Sequence, residues 1–197
     1  MKAVERKQQI FDAALKAFAE YGYERTSIAI ICEKAGIARP TLYQYFKDKR
    51  SVFRDLLESH LNGVHGRIHA RQQAKDSKKE LSRQEQMNSI HMEILDEFMV
   101  NRDLYTILFK EAKARNAETE DIVDSIIQGM MVDFLEEFKD YTFATGLKEK
   151  DIEFIVMYMI GGLMQIVESY LFVDENEWPM QEIAEMLTFI ESRIKGE

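Results

Sequence analysis

An all-α fold is predicted by three features of the sequence. Only two prolines and nine glycines interrupt 197 residues otherwise rich in Leu, Ile, Met, Glu and Lys. Apolar side chains recur at three- and four-residue spacing, and no alternating Val/Thr/Tyr segments bounded by turns are present. The charge is also unevenly divided. Residues 1 to 55 hold eleven Lys/Arg and seven Asp/Glu, whereas the net charge of the whole is −9, so a basic head precedes an acidic body. That asymmetry is expected where only the head meets phosphates and the body limits non-specific sticking. We place the division between residues 1–50, a three-helix head, and 51–197, a helical body.

The first helix is predicted over Val4 to Tyr21, with Ile10, Ala14, Phe18 and Tyr21 on one stripe, Ala13 and Ala17 allowing close approach, and Gly22 ending it. Two short helical runs follow within Thr26 to Lys49. Thr26 or Ser27 supplies a hydroxyl cap for the first run, and Ile28, Ile31 and Cys32 form its inner face. Gly36, in the link Ala35-Gly36-Ile37, suits a left-handed helix stop. The second run opens near Ala38 or Arg39, and Pro40 is harmless in a first turn. Leu42 and Phe46 point inward with Ile37. Arg39, Thr41, Tyr43, Gln44 and Tyr45 are left outside.

An outer face of aromatics and hydroxyls is an odd way to build a solvated surface and a sensible way to meet DNA. A helix of this size fits a major groove, where Arg reaches guanine edges, Gln pairs with adenine and Thr touches a thymine methyl. Tyr43, Tyr45 and Lys49 are suited to phosphates. The competing explanation is a helical hairpin with exposed tyrosines.

The wider context of Arg6, Ile10, Ala13, Ala14, Phe18, Gly22, Thr26, the Ala35-Gly36-Ile37 turn, Pro40-Thr41-Leu42-Tyr43, Tyr45-Phe46 and Lys49 resembles the DNA-binding domain of the TetR family of bacterial transcriptional regulators. Ile30, Cys32 and Ala38 depart from that family's usual residues. The resemblance covers about the first fifty residues. It implies a helix-turn-helix head that binds double-stranded operator DNA through Thr26, Arg39, Pro40, Thr41, Tyr43, Gln44, Tyr45 and Lys49. It also implies a small-molecule effector cavity in the body. On this reading the protein is a ligand-responsive regulator, a repressor released by an apolar or amphipathic effector, and not an enzyme.

Asp48 is placed to cap a fourth helix bearing Val52, Phe53, Leu56, Leu57, Leu61 and Val64 toward Arg71. Lys49 and Arg50 oppose its dipole, and contact with a DNA phosphate is the expected compensation. Residues 72 to 80 are polar and basic without an apolar period, and an exposed loop or a frayed helix end is expected there. Helices are then predicted from Ser82 to Val100, from Asn101 to Ala114, and from residue 119 to about 144, with Gly146 as a stop. Asp151 to Phe172 is apolar on nearly every side and carries Gly161-Gly162. A last helix after Pro179 repeats Met180, Ile183, Leu187, Ile190 and Ile194 like a heptad seam. One body cannot bury both surfaces, so these two helices are expected to form a four-helix interface with a second copy.

Within the body, His65, His69, Phe98, Phe109, Met130 and Phe134 are the candidate effector-pocket residues. The competing explanation for the Met and Phe residues is ordinary core. An alternative function is an all-helical metal-binding sensor or enzyme using His65, His69 and His91, because His65 and His69 stand one helical turn apart. A third is an adaptor whose last helices bind another protein. No phosphate-cradling glycine loop, nucleophile elbow or Cys–His pair at a recognisable spacing occurs, so no cofactor and no catalytic residue is implied. The single cysteine, Cys32, excludes an intrachain disulfide and suggests a reducing compartment. The longest uncharged run, Phe154 to Val167, has fourteen residues where a membrane span needs about twenty. The start MKAVERKQQIF lacks a signal-like apolar core. A cytoplasmic protein with no membrane partner is the expectation.

Overall fold

Helix formation follows the apolar periods. The computed structural model describes residues 3–61, 66–67, 70, 82–142, 148–171 and 178–194, and among these no strand occurs. The described helices are α1 (Ala3–Arg25), α2 (Ile28–Ala35), α3 (Arg39–Tyr43), α4 (Lys49–Leu61), α5 (Arg83–Val100), α6 (Arg102–Ala114), α7 (Glu120–Thr142), α8 (Glu149–Leu171) and α9 (Met180–Ile194). The all-α prediction and the N-terminal three-helix head are therefore observed. The region 72–80, the stop at Gly146, and the continuation of α4 through Val64 to Arg71 fall wholly or largely outside the described residues.

Two compact units form. The first contains Met1–Asn62 and Arg102–Ile127, and the second contains Gly63–Asn101 and Gln128–Glu197. Packing thus groups α4, α6 and the start of α7 with the N-terminal helices, whereas charge and motif alone divide the sequence at residue 50. The reason lies in α1. Its small Ala13, Ala14 and Ala17 are buried beside Ile10 and Phe18, and this narrow stripe lets α2, α4 and α6 all approach it. Phe18, Tyr23 and Phe53 fill the centre, with ring centroids 5.3 Å apart for Phe18–Phe53 and 5.0 Å for Tyr23–Phe53, both edge-on. Burial of each such ring stabilises the fold by roughly 1.5–3 kcal/mol.

Gly22 interrupts α1 but does not end it. Its dihedrals (φ 77°, ψ 168°) are non-helical, a conformation open to glycine, and one further turn follows to Arg25. This break resets the helical register. Tyr21, expected on the inner stripe, is only half-buried, and Tyr23 takes the core position at 1% exposure.

In the second unit, Ser82 caps α5 reciprocally with Glu85: the Ser82 hydroxyl accepts from Glu85 N, and the Glu85 carboxylate accepts from Ser82 N. α9 packs on α5 through Ile183, Ala184 and Leu187, all buried. The heptad-like seam expected to face a second copy therefore turns inward at Ile183 and Leu187. What α9 leaves exposed is Met186, Phe189 and Ile190, and α8 leaves Phe154, Met157 and Tyr158 exposed. Among the described residues, no helix is long and apolar enough to cross a membrane.

Candidate nucleic-acid interface

The helix-turn-helix is built from local signals. Ser27, not Thr26, caps α2: its hydroxyl accepts from Ile30 N at 3.3 Å. Gly36 closes α2 in the left-handed region (φ 62°), and Ile37 N donates back to Cys32 O at 3.0 Å. Extended Ala38 then opens α3 without a side-chain cap, which is the consequence of that departure from the family pattern. Cys32, another departure, is buried, and burial pushes its thiol pKa up, so it behaves as a small apolar side chain. Ile30 is half-exposed.

Leu42 and Phe46 anchor α3 from below at 0% and 3% exposure, with Phe11 5.6 Å from Phe46 between ring centroids. That anchoring fixes the outer face. Arg39, Pro40, Tyr43 and Gln44 are exposed, and Thr41 and Tyr45 are half-exposed. Tyr43 is 53% exposed and is the large apolar exception on an otherwise well-buried α2–α3 pair. These six sequence-predicted residues are brought onto one continuous stretch.

Thr26 and Lys49 are placed differently. Thr26 is 2% exposed, and its hydroxyl donates to Gly22 O at 2.8 Å and Ala17 O at 3.1 Å. It ties the α1 break to the start of α2. Lys49 Nζ donates to Tyr23 O at 2.9 Å and stands 4.0 Å from the Tyr23 ring centroid. Arg50 Nε donates to Glu118 O at 2.8 Å, and its Nη2 pairs with the Asp121 carboxylate. The hydrogen bond from Arg50 holds the Asp121 carboxyl below the usual aspartate range. Two basic residues at the start of α4 therefore have a structural use inside the first unit, where the sequence offers only phosphate as compensation. Asp48 does cap α4, accepting from Ser51 N at 2.7 Å.

Sequence reasoning overlooked Lys47. It is exposed, directly follows the Phe46 anchor, and makes no hydrogen bond or ion pair among the described residues. Its position two residues before Lys49 in a run of basic side chains is the signal that would have found it.

The candidate effector residues are scattered. Phe98 is buried on α5 and Met130 is half-buried on α7, both in the second unit, while Phe109 is half-buried on α6 in the first. Phe134 lies on α7, but its side chain, like His65 and His69 altogether, is outside the described residues. His91 is 5% exposed, with Nδ1 2.9 Å from Thr188 Oγ1. Because that hydroxyl donates to Ala184 O at 2.8 Å, it accepts from His91 Nδ1–H. His91 thus fastens α5 to α9.

A buried-anchor, exposed-face α3 preceded by a glycine turn defines a helix-turn-helix head. Residues 10–56 match the family model of bacterial regulatory proteins, tetR family. An uncharacterised helix-turn-helix transcriptional regulator of Bacillus subtilis, YezE, is 36% identical over 84 residues, covering 41% of this chain and 43% of the relative. The transcriptional regulator AcrR of Shigella flexneri is 35% identical over 74 residues, covering 38% and 34%. The matched region thus spans less than half the length of these relatives. In fold, the chain is similar to the transcriptional regulator FadR of Bacillus subtilis, solved in complex with stearoyl-CoA: TM-score 0.71, 18% identity, covering 93% of this chain and 96% of that one.

Proposed function

We propose that this protein is a ligand-responsive, DNA-binding transcriptional repressor that binds a partly palindromic operator as a homodimer. The observation that carries the reading is the outer face of α3, where Arg39, Thr41, Tyr43, Gln44 and Tyr45 stand over the buried Leu42 and Phe46 within a TetR-family head. Arg39 and Gln44 are assigned base edges, and Thr41 a thymine methyl. Tyr43, Tyr45 and Lys47 take phosphates, while Thr26 and Lys49 hold the head from behind. Residues 1–50 supply the DNA contacts, and 51–197 supply effector binding and dimerisation.

Support for the dimer comes from α8 and α9. Phe154, Met157 and Tyr158 are exposed on α8 in line with the exposed Gly161 and Gly162, at the three- and four-residue steps of one helix face. Met186, Phe189 and Ile190 are exposed at the same steps on α9. Contiguous exposed apolar side chains of this kind mark an interface. In a closed dimer the two α3 helices would enter major grooves about one helical turn, roughly 34 Å, apart.

For the effector, an amphipathic acyl compound is the class we favour. It rests on the Met- and Phe-rich helices of the body and on the fold shared with a regulator that holds stearoyl-CoA. A coupling of order 1–3 kcal/mol between effector and operator is enough to change occupancy by about 5- to 150-fold. The test is selection of bound fragments from random and genomic duplexes, followed by release screening with acyl-CoAs of graded length. Palindromic sites released by one length range are the expected result. Retention of no duplex even in dilute salt defeats the DNA reading, and indifference to every acyl-CoA defeats the effector class.

A further inference from the structure

The break in α1 is closed by another helix. In an unbroken helix the Tyr23 N–H would donate to Ala19 O, four residues back, but the Gly22 dihedrals (φ 77°, ψ 168°) interrupt that ladder. Both groups meet α6 at adjacent residues. Tyr23 N donates to Glu111 Oε1 at 3.1 Å, and Lys110 Nζ donates to Ala19 O at 3.4 Å. The second Glu111 oxygen accepts from Thr119 Oγ1 at 3.2 Å, just before α7 begins. Glu111 and Thr119 are 6% and 0% exposed. A carboxylate this deep needs hydrogen-bond donors on both oxygens, and it has them.

Tyr23 is also where the head is tied together. Its carbonyl accepts from Thr26 N at 3.2 Å and from Lys49 Nζ at 2.9 Å. One residue thus joins the end of α1, the entry to α2 and the start of α4. The same corner carries two more ties: Asn116 Nδ2 donates to Glu24 Oε1 at 3.2 Å, and Arg50 Nε donates to Glu118 O at 2.8 Å.

We propose that Glu111 is a positioning residue for DNA binding: its buried carboxylate clasps the α1 break at Tyr23 and thereby sets the angle at which α2 and α3 are presented. The proposal rests on the DNA-binding reading above and adds to it the contact by which the α6–α7 corner governs the head. α7 starts one residue after Thr119 and runs past Ile127 into the second unit. A change on α7 therefore has a covalent route to the clasp.

The test uses the full chain, the operator selected for the wild type, and four variants: E111A, E111Q, T119V and K47A. Amide exchange at Tyr23 is read without DNA, and operator affinity is read across a salt series. In E111A, exchange at Tyr23 should accelerate at least tenfold while the amides of Phe53 and Leu56 stay protected. Its operator Kd should rise about tenfold at every salt concentration, leaving the slope of log K on log salt unchanged, since no phosphate contact is lost. E111Q keeps an oxygen for Tyr23 N and should recover most of both. If E111A does not fold, E111Q against T119V supplies the same comparison, T119V falling between wild type and E111A.

Operator affinity unchanged in a folded E111A overturns the positioning role. So does a loss in which the salt slope drops as it does in K47A, because that would place Glu111's effect on phosphate contacts. Failure of the wild type to retain any duplex is a different result. It defeats the DNA reading, and the exchange data then decide the clasp alone: unchanged exchange at Tyr23 in E111A removes it.

Discussion

The N-terminal head and the last two helices treat their large apolar residues in opposite ways. In the head and α4, Phe11, Phe18, Tyr23, Leu42, Phe46 and Phe53 are all at 3% exposure or less, and Tyr43 stands out at 53%. On α8 and α9, Phe154, Tyr158 and Phe189 are 62%, 76% and 58% exposed. An exposed aromatic in the first setting is a single contact group on a finished core. In the second it is one of several apolar side chains exposed at helical spacing on the same element.

Removing an aromatic from each setting tests that contrast, and the largest effect is expected in the first. Phe53→Ala empties a site ringed edge-on by Phe18 and Tyr23 and should cost about 3–5 kcal/mol in chemical denaturation. A fall below about 1 kcal/mol would show that this core is loosely packed. Charges placed on the C-terminal face should act through assembly instead. Tyr158→Glu with Phe189→Glu is expected to give a folded monomer in sedimentation and to lower operator affinity on the order of 100-fold, by uncoupling the two heads. A dimer that survives both substitutions moves the interface elsewhere.

The sequence displays some parts of this molecule and hides others, for physical reasons. Residues whose role is decided within a few positions were legible: Gly36 at a left-handed stop, Asp48 at a cap, and Leu42 with Phe46 under an exposed Tyr43. Roles decided by a partner far along the chain were not. Tyr23 replaces Tyr21 in the core because Gly22 shifts the register inside α1. Glu111 looks like any carboxylate on an amphipathic helix until α6 is laid against that break, 88 residues earlier in sequence. Lys49 and Arg50 looked misplaced at the start of α4 for the same reason. Their acceptors, Tyr23 O, Glu118 O and Asp121, lie 26, 68 and 71 positions away.

Two neighbouring lysines sharpen the comparison within the head, where a moderate effect is expected. Lys47→Ala removes an exposed cation with no partner among the described residues, and should reduce the slope of log K on log salt by about one. Lys49→Ala removes a donor to Tyr23 O. It should lower the melting temperature and weaken all binding, with the slope intact. The reverse pattern would make Lys49 the phosphate contact and Lys47 a bystander.

The smallest effect is expected at the rim of the first unit, where Arg50 meets Asp121 in the open. Hydrogen bonding to Arg50 lowers the folded-state pKa of Asp121. A carboxyl with a depressed folded pKa contributes stability that is present above its unfolded pKa and lost as the pH falls through the folded one. Wild type should therefore melt slightly higher than Asp121→Asn at neutral pH, and the gap should close on acidification below the ordinary aspartate range. Because both side chains are solvated, high salt should narrow the same gap at neutral pH. A gap that closes in acid yet survives in the Arg50→Gln background would mean that Asp121 acts through the start of α7 itself, where a carboxylate also meets the helix dipole.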